Sequence, residues 1–216
     1  MMIKLIYTLY ISFQCILFFV AGFETTATTI SNCLYNLAVN PEIQERLAEE
    51  LDSALDGIEV DSPQYFDIIN NQIPYLEATI KETLRMCPPV VRLQRRVGVD
   101  NYKLAGVPLE KGVIIEVSTY AVHHDPDYYP NPERFDPERF MPENKANLVP
   151  YTYLPFGQGP RNCIGMRFAY QEIRLCLAKI IRDYRFSKSI HTQIPLKYNA
   201  IGVLSAKNIA LKVGKR

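Results

Sequence analysis

Apolar positions dominate the N-terminal part of the chain. The nineteen residues 5–23 carry no charge, and the apolar pattern continues at helical spacing to Val39. A run of this length passes the roughly 18-residue threshold for a membrane span, and a long helix buried in a protein core gives the same pattern. Because Glu24 lies in the same run and a carboxylate is costly in hydrocarbon, we predict one buried helix over residues 11–39 that is not a membrane span.

Three further segments repeat apolar residues at intervals of three or four positions, which is the spacing of one helix face. They begin at Pro41, at Pro74 and after Gly165. Proline suits a first helical position because its missing N–H would have no partner there anyway. The second segment ends before Pro88-Pro89, and the third runs to about Arg182.

The rest of the chain lacks helical periodicity. Between Val97 and Ser118, short runs of β-forming residues are divided by Gly106 and Gly112, which predicts a small sheet and no βαβ series. Residues 125–155 hold seven of the 15 prolines, so we predict an irregular loop there, and loops of this length are usually functional. The predicted fold class is mainly α with small β-sheets.

The composition places the chain among globular proteins. Its 216 residues are 48% hydrophobic, and 24 Lys and Arg against 23 Asp and Glu give a net charge of +1. This composition provides a packed core and no basic bias toward nucleic acid. The chain has five cysteines without a C-x-x-C pair, which indicates a reducing compartment with neither a disulfide framework nor a zinc site. They are Cys15, Cys33, Cys87, Cys163 and Cys176.

One cysteine has an unusual setting. Cys163 lies in the glycine-rich segment 156–165, directly before the last predicted helix and two residues after Arg161. Free backbone N–H groups at a helix N-terminus and a nearby cation both favour a thiolate. We interpret the other four cysteines as small hydrophobic residues.

The same segment carries a family resemblance. The pattern F-x-x-G-x-R-x-C-x-G is filled by Phe156, Gly159, Arg161, Cys163 and Gly165, and it resembles the haem-binding signature of cytochrome P450. Three more segments resemble motifs of that family in the same order. They are the oxygen-activating A-G-x-E-T at residues 21–25, the E-x-x-R at residues 82–85 and the meander motif at residues 135–140.

The resemblance implies roles around heme b. Cys163 would be the axial iron ligand, and Phe156, Gly159 and Gly165 would shape its loop. Arg161 and Arg95 would bind the propionates, with Arg92 and Arg96 as alternatives to Arg95.

The resemblance also assigns the first helix to the cofactor. Ala21 and Gly22 would let the helix backbone approach the haem, which would explain a mid-helix glycine that costs about 1 kcal/mol relative to alanine. Thr25 together with Glu24 would be catalytic, ordering the water that delivers protons to bound O2.

Glu82 and Arg85 have two interpretations. Taken alone, this i,i+3 pair is typical of an exposed ion pair worth a few tenths of a kcal/mol. The resemblance implies a buried structural triad with Arg139, for which Arg134 in the adjacent near repeat is the competitor. His123 could in principle pair with Cys163 in a thiol hydrolase, but no orienting Asn or Asp stands out, and we predict that His123 and His124 lie on a loop surface.

The implied activity is that of a haem-thiolate monooxygenase, inserting one oxygen atom of O2 into lipophilic substrates such as xenobiotics, lipids or hormones. Electrons would come from NADPH-cytochrome P450 reductase, with cytochrome b5 as a second donor, at the cytoplasmic face of the endoplasmic reticulum membrane. The general look of the motifs is most similar to insect microsomal members.

The resemblance covers residues 14–216, the C-terminal haem-binding part of the family fold, whereas residues 1–13 match nothing in it. Because the family's anchor and its preceding helices are not found, we expect a truncated chain that is not a competent monooxygenase by itself. The alternatives are a catalytically inactive fragment or haem-binding remnant, and a single-pass membrane protein.

Overall fold

The structure, a computed structural model, describes residues 2–199 and 202–216, with side chains described from residue 7 onward. Within these ranges the chain forms six α-helices and three two-stranded antiparallel sheets, which confirms the predicted mainly α class. The helices are α1 (Met2–Val39), α2 (Pro41–Ala54), α3 (Pro63–Asn71), α4 (Pro74–Met86), α5 (Thr119–His123) and α6 (Met166–Asp183). The strands are β1 (Arg92–Arg96), β2 (Tyr102–Leu104), β3 (Val107–Leu109), β4 (Ile114–Ser118), β5 (Tyr184–Lys188) and β6 (Leu211–Lys215).

The buried core lies where the C-terminal half of α1 meets α2, α4 and α6. Each of these helices contributes an apolar stripe at the predicted spacing, and α3 closes the core from one side. Fully buried members include Cys33, Leu37, Leu47, Leu51, Leu76, Ile80, Ile173 and Leu177. Helix α4 contacts α1, α2 and α6 and therefore lies at the centre of this core.

Helix α1 is uninterrupted, as predicted, but the prediction that residues 11–39 are buried throughout is wrong. Residues 7–25 are exposed or half-buried, and the first buried position from residue 7 onward is Thr26. Phe13 and Phe19 are 68% and 70% exposed. The helices and the strand that pack on α1 cover only its C-terminal part, and periodicity alone does not show which part of an apolar helix is covered.

The exposed part of α1 also bears on the membrane question. The segment Tyr7–Val39 is long and apolar enough to cross a membrane, and its most apolar window has no buried residue. This property follows from length and composition, and signal sequences near an N-terminus share it. Residue 1 and the side chains of residues 2–6, which belong to the predicted unmatched segment 1–13, lie outside the described part of the chain.

Helix α3 and strand β1 were not predicted from the sequence. Helix α3 begins after Ser62, whose hydroxyl accepts a hydrogen bond from Tyr65 N at 3.1 Å, and Pro63 occupies its first position. Strand β1, residues 92–96, is polar except for Leu93 and pairs with β4, so that Leu93 lies opposite Val117. Its strand conformation comes from this pairing and from no apolar run of its own.

The proline-rich loop is largely irregular, as predicted. It contains two 3-10 helices, at Pro137–Phe140 and Pro142–Asn147. The first of them packs against α4. This contact brings the meander motif to the Glu82 side of the helix.

Candidate functional site

A cavity of about 330 Å³ lies between α1, the end of α4, β1 and the segment that carries Cys163. Its walls are mostly apolar, and its polar side chains are Thr25, Thr26, Thr29, Arg161 and Cys163. The apolar lining includes Ala21, Leu84, Val90, Leu93, Phe156 and Ile173. The cavity therefore collects one thiol, one guanidinium and several hydroxyl groups around an apolar space.

The loop that holds Cys163 is fixed by its own backbone. Gly157 and Gly159 have φ angles of +71° and +80°, which favour glycine because a side chain would be strained there. Cys163 N donates a 2.8 Å hydrogen bond to Phe156 O, which closes the loop. The Phe156 ring packs against Tyr170 of α6 with ring centres 5.2 Å apart. The Cys163 thiol is thereby exposed in the cavity wall, just before α6 begins.

Three of the other cysteines are unsuited to a thiolate. Burial raises the pKa of Cys33 to about 12 and that of Cys87 to about 11, and it also raises the pKa of Cys176. These groups remain neutral thiols at physiological pH. Cys15 is exposed on α1 and does not line the cavity. Among the described residues, Cys163 is the cysteine that the structure brings to this site.

Helix α1 contributes only part of its predicted motif. Ala21 and Thr25 line the cavity, one helical turn apart, and Thr25 Oγ1 donates to Ala21 O at 2.7 Å. Gly22 and Glu24 point away from this cavity, because neighbouring positions on a helix differ by about 100° in direction. Glu24 is exposed beside residues 205–209, and a Cβ added at Gly22 would meet no atom within 4 Å. The approach of the helix backbone to the haem at this position stays a prediction.

The predicted propionate-binding arginines are separated. Arg161 lines the cavity, whereas Arg95 is exposed and donates to its neighbour's carbonyl, Gln94 O, at 2.7 Å. Arg95 shares its face of β1 with the cavity-lining Leu93, since strand side chains alternate. Arg92 and Arg96, the alternatives to Arg95, have other partners. Arg92 Nη1 lies 4.0 Å from Glu116 Oε2, and Arg96 Nη1 donates to Gly112 O.

Glu82, Arg85 and Arg139 form one cluster, and the interpretation of Glu82 and Arg85 as an exposed pair is wrong. Arg85 Nε and Nη2 donate to the two carboxylate oxygens of Glu82 at 2.7 and 2.9 Å. Arg139 Nε lies 3.5 Å from Glu82 Oε1, and Asp136 N donates to that oxygen at 2.9 Å. Arg134 contributes only its backbone carbonyl, 3.4 Å from Arg85 Nη2. Burial raises the pKa of Glu82, and the bonds from Arg85 oppose that rise.

The prediction that both histidines lie on a loop surface is wrong. His123 is fully buried at the end of α5, and His124 is half-buried. His123 Nδ1 lies 3.1 Å from Arg85 O, and its Nε2 accepts a 2.8 Å hydrogen bond from Leu154 N. Two adjacent histidines in a proline-rich sequence carry no signal that distinguishes them, and only tertiary packing selects one for the interior.

These residues fit a flat apolar cofactor with a soft metal and acidic groups at its edge. The exposed Cys163 thiol supplies a soft ligand, the apolar walls accept a ring system, and Arg161 supplies a cation for a carboxylate. Gly165, which precedes α6, lies beside the thiol: a Cβ there would make an ordinary van der Waals contact with Cys163 Sγ at 3.9 Å.

Comparison with known proteins gives the same assignment. A family model described as Cytochrome P450 matches residues 9–213, and our boundary at residue 14 stays a prediction. Cytochrome P450 3A2 of Rattus norvegicus is 46% identical over 201 residues, which are 93% of this chain and 39% of that protein. Cytochrome P450 3A41 of Mus musculus is 45% identical over 207 residues, covering 95% of this chain and 40% of the relative.

Cytochrome P450 3A7 of Homo sapiens is 41% identical over 204 residues, which are 94% of this chain and 40% of that protein. The chain thus spans about two fifths of the length of these curated relatives. All three are mammalian, and the similarity to insect members stays a prediction. Because the family match extends over nearly the whole chain, this chain belongs to the cytochrome P450 family.

Proposed function

We propose that this chain provides the haem-binding part of a monooxygenase that inserts one oxygen atom of O2 into lipophilic substrates. The observation that carries the proposal is the position of Cys163, which is exposed in the wall of an apolar cavity also lined by Thr25. The family implies a haem-thiolate cofactor, and Cys163 is its proposed axial ligand. Thiolate-ligated haem supplies the capacity to cleave the O–O bond.

The chain's own residues would hold and orient the cofactor. Arg161 is already at the cavity wall, and Arg95 would reach a propionate after leaving its contact with Gln94 O. Leu84, Val90 and Leu93 line the cavity and would exclude water from it. Because the walls of the cavity are mostly apolar, a lipophilic substrate would be received beside the cofactor.

Proton delivery is proposed for Thr25 with Glu24. The Thr25 hydroxyl donates to Ala21 O, so its oxygen lone pairs are free to accept a hydrogen bond from a water in the cavity. Glu24 is exposed one residue earlier and is in contact with solvent. In this arrangement Thr25 would orient the water, and Glu24 would exchange protons with the solvent. A Thr25→Val variant should bind haem as the parent chain does and lose product formation.

We also propose the partners and the location that the family suggests. Electrons would come from NADPH-cytochrome P450 reductase, with cytochrome b5 as a second donor. The site would lie at the cytoplasmic face of the endoplasmic reticulum membrane. The exposed apolar residues of α1, Phe13, Leu17 and Phe19 among them, support membrane association.

The absorption spectrum of the reduced, CO-bound chain tests the proposal. We expect the thiolate-type Soret shift in the haem-loaded parent chain and in Cys176→Ser, whose cysteine lies in α6 outside the cavity. Cys163→Ser should lose the shift. Retention of the shift in Cys163→Ser, with loss in Cys176→Ser, would show that the ligand assignment is wrong.

A second candidate is a chain that binds haem without productive turnover. The exposure of Cys163, together with that of Ile164 at 87%, favours it, because water could reach the cofactor from this side. NADPH oxidation by reductase without substrate-derived product, in a chain with a normal CO spectrum, would support this candidate. Steady product formation from a lipophilic substrate would exclude it.

A further inference from the structure

His123 joins three backbone segments that are far apart in the sequence. Its Nδ1 bonds to Arg85 O at the end of α4, and its Nε2 accepts from Leu154 N. Its own carbonyl accepts from Arg85 Nη1 at 2.7 Å, so that His123 and Arg85 hold each other by two separate bonds. We propose that His123 is a positioning residue for the Cys163 loop, acting through the hydrogen bond that its Nε2 accepts from Leu154 N.

The two bonds determine the form of the imidazole. Leu154 N–H is a donor, so Nε2 carries no proton, and Arg85 O is an acceptor, so Nδ1 carries one. Burial is the main cause that lowers the pKa of His123 to about 4, and the Arg85 cation acts in the same direction. The neutral Nδ1–H tautomer is therefore the form present at physiological pH, and it is the form that offers an acceptor to Leu154.

The contact at Leu154 leads to the cysteine by a short backbone route. Leu154 O accepts from Gly157 N at 3.0 Å, and Phe156 O accepts from Cys163 N at 2.8 Å. Residues 155–157 lie between these bonds and line the cavity. A displacement of Leu154 would therefore move one wall of the cavity together with the hydrogen bond that closes the Cys163 loop.

The surroundings of His123 restrict its movement. Its ring stacks on Tyr153, with ring centres 5.6 Å apart and planes within 20°, and meets Tyr129 edge-on at 6.5 Å. Arg85, in turn, is fixed by Glu82 through two bonds. The Glu82–Arg85 pair is thus connected through His123 to the cysteine loop. In this proposal the buried ion pair helps to fix the position of the Cys163 thiol.

Two variants distinguish the hydrogen bond of His123 Nδ1 from that of Nε2. In His123→Gln, the side-chain oxygen reaches about as far as Nε2 and can still accept from Leu154 N. In His123→Asn, the shorter amide reaches about as far as Nδ1 and can still donate to Arg85 O, but it leaves Leu154 N without its acceptor. His124→Gln is the matched control, because the His124 ring bonds to Tyr120 O at 2.9 Å, whereas the acceptor for Leu154 N is the His123 ring.

The first readout is amide hydrogen exchange in the chain without added haem. We expect exchange at the Leu154 and Cys163 amides to be on the order of tenfold faster in His123→Asn than in the parent chain, since a lost hydrogen bond changes local opening by about that factor. His123→Gln and His124→Gln should stay within about twofold of the parent chain. Far-UV circular dichroism should show the same helix content in all four proteins.

The second readout, the fraction of the reduced CO complex with thiolate-type absorption, rests on the proposed function. We expect a lower fraction in His123→Asn and an unchanged fraction in His123→Gln. Absence of this absorption in the parent chain would contradict the proposed function, and the exchange measurement would still decide the role of His123. Equal effects of the two His123 variants, including unfolding of both, would overturn the proposal. The packing of the imidazole ring alone would then explain why His123 is needed, without its hydrogen bond to Leu154 N.

Discussion

Arg85 and Glu82 form a bidentate ion pair in which neither side chain is exposed to solvent. Arg85 also donates from Nη1 to His123 O and from Nη2 to Pro132 O, both at 2.7 Å. One guanidinium thus joins α4, the end of α5 and the meander loop. A buried charge held in this way is costly to leave unpaired, which makes the pair a structural clamp.

Removal of one member of this clamp should be strongly destabilising. We expect Arg85→Met to lower the free energy of unfolding by about 3–5 kcal/mol, because Glu82 would remain buried without its main partner. Arg134→Met is the control, since Arg134 is exposed and its side chain lies outside the cluster; it should change stability by less than about 0.5 kcal/mol. Urea unfolding followed by circular dichroism measures both, and similar losses would contradict the assignment.

His123 should make the stability of the chain depend on pH. Its pKa falls from the ordinary value of 6.5 to about 4 in the folded chain. Burial is the main cause of this fall, and the charged or titratable groups that also disfavour the His123 cation are Arg85 of α4 and the adjacent His124. A lowered histidine pKa means that the unfolded chain binds the proton more tightly, so its contribution is complete above pH 6.5 and is lost as pH falls toward 4.

The His123→Gln variant isolates this contribution. Between pH 6.5 and 4 its unfolding free energy should decrease less steeply than that of the parent chain, because glutamine does not titrate. Denaturant midpoints measured at several pH values within that window provide the comparison. Parallel curves for the two proteins would show that His123 does not carry the effect.

The cysteines should differ in their reactivity toward an alkylating reagent. At neutral pH in the folded chain, Cys163 should react much faster than Cys33 and Cys87, which are buried and whose pKa values are about 12 and 11. Cys15 is exposed and should react as well. Mass spectrometry of peptides after timed labelling separates the sites, and denaturant should abolish the differences. Rapid labelling of Cys33 in the folded chain would contradict the described core.

The exposed face of α1 should mediate association with lipid. Replacement of Phe13 and Phe19 by Ser removes two of its most exposed aromatic rings, so we expect weaker co-sedimentation with phospholipid vesicles or less self-association. Val107→Ser is the control, because Val107 is 57% exposed on β3, away from this helix. Unchanged behaviour of the double variant would exclude this part of α1 as the membrane-active surface.

The amino-acid sequence determines the elements that depend only on residues close to one another in the chain. Helices α2, α4 and α6 follow the apolar spacing and the proline and glycine positions that bound them. The glycine-rich sequence before α6 indicates a loop, in which Gly157 and Gly159 adopt the left-handed conformation. These features are encoded within a few neighbouring residues, so the sequence of this chain alone is enough to predict them.

Tertiary structure decided the features that depend on distant partners. The polar strand β1 exists because β4 pairs with it, and α1 is buried only where other elements cover it. Periodicity did not distinguish an exposed Glu82–Arg85 pair from a buried one, and it gave no reason to place His123 inside. A polar group can be buried at low cost only when its hydrogen bonds are satisfied. The donors that satisfy Glu82 and His123 are Asp136 N and Leu154 N, which are distant from them in the chain.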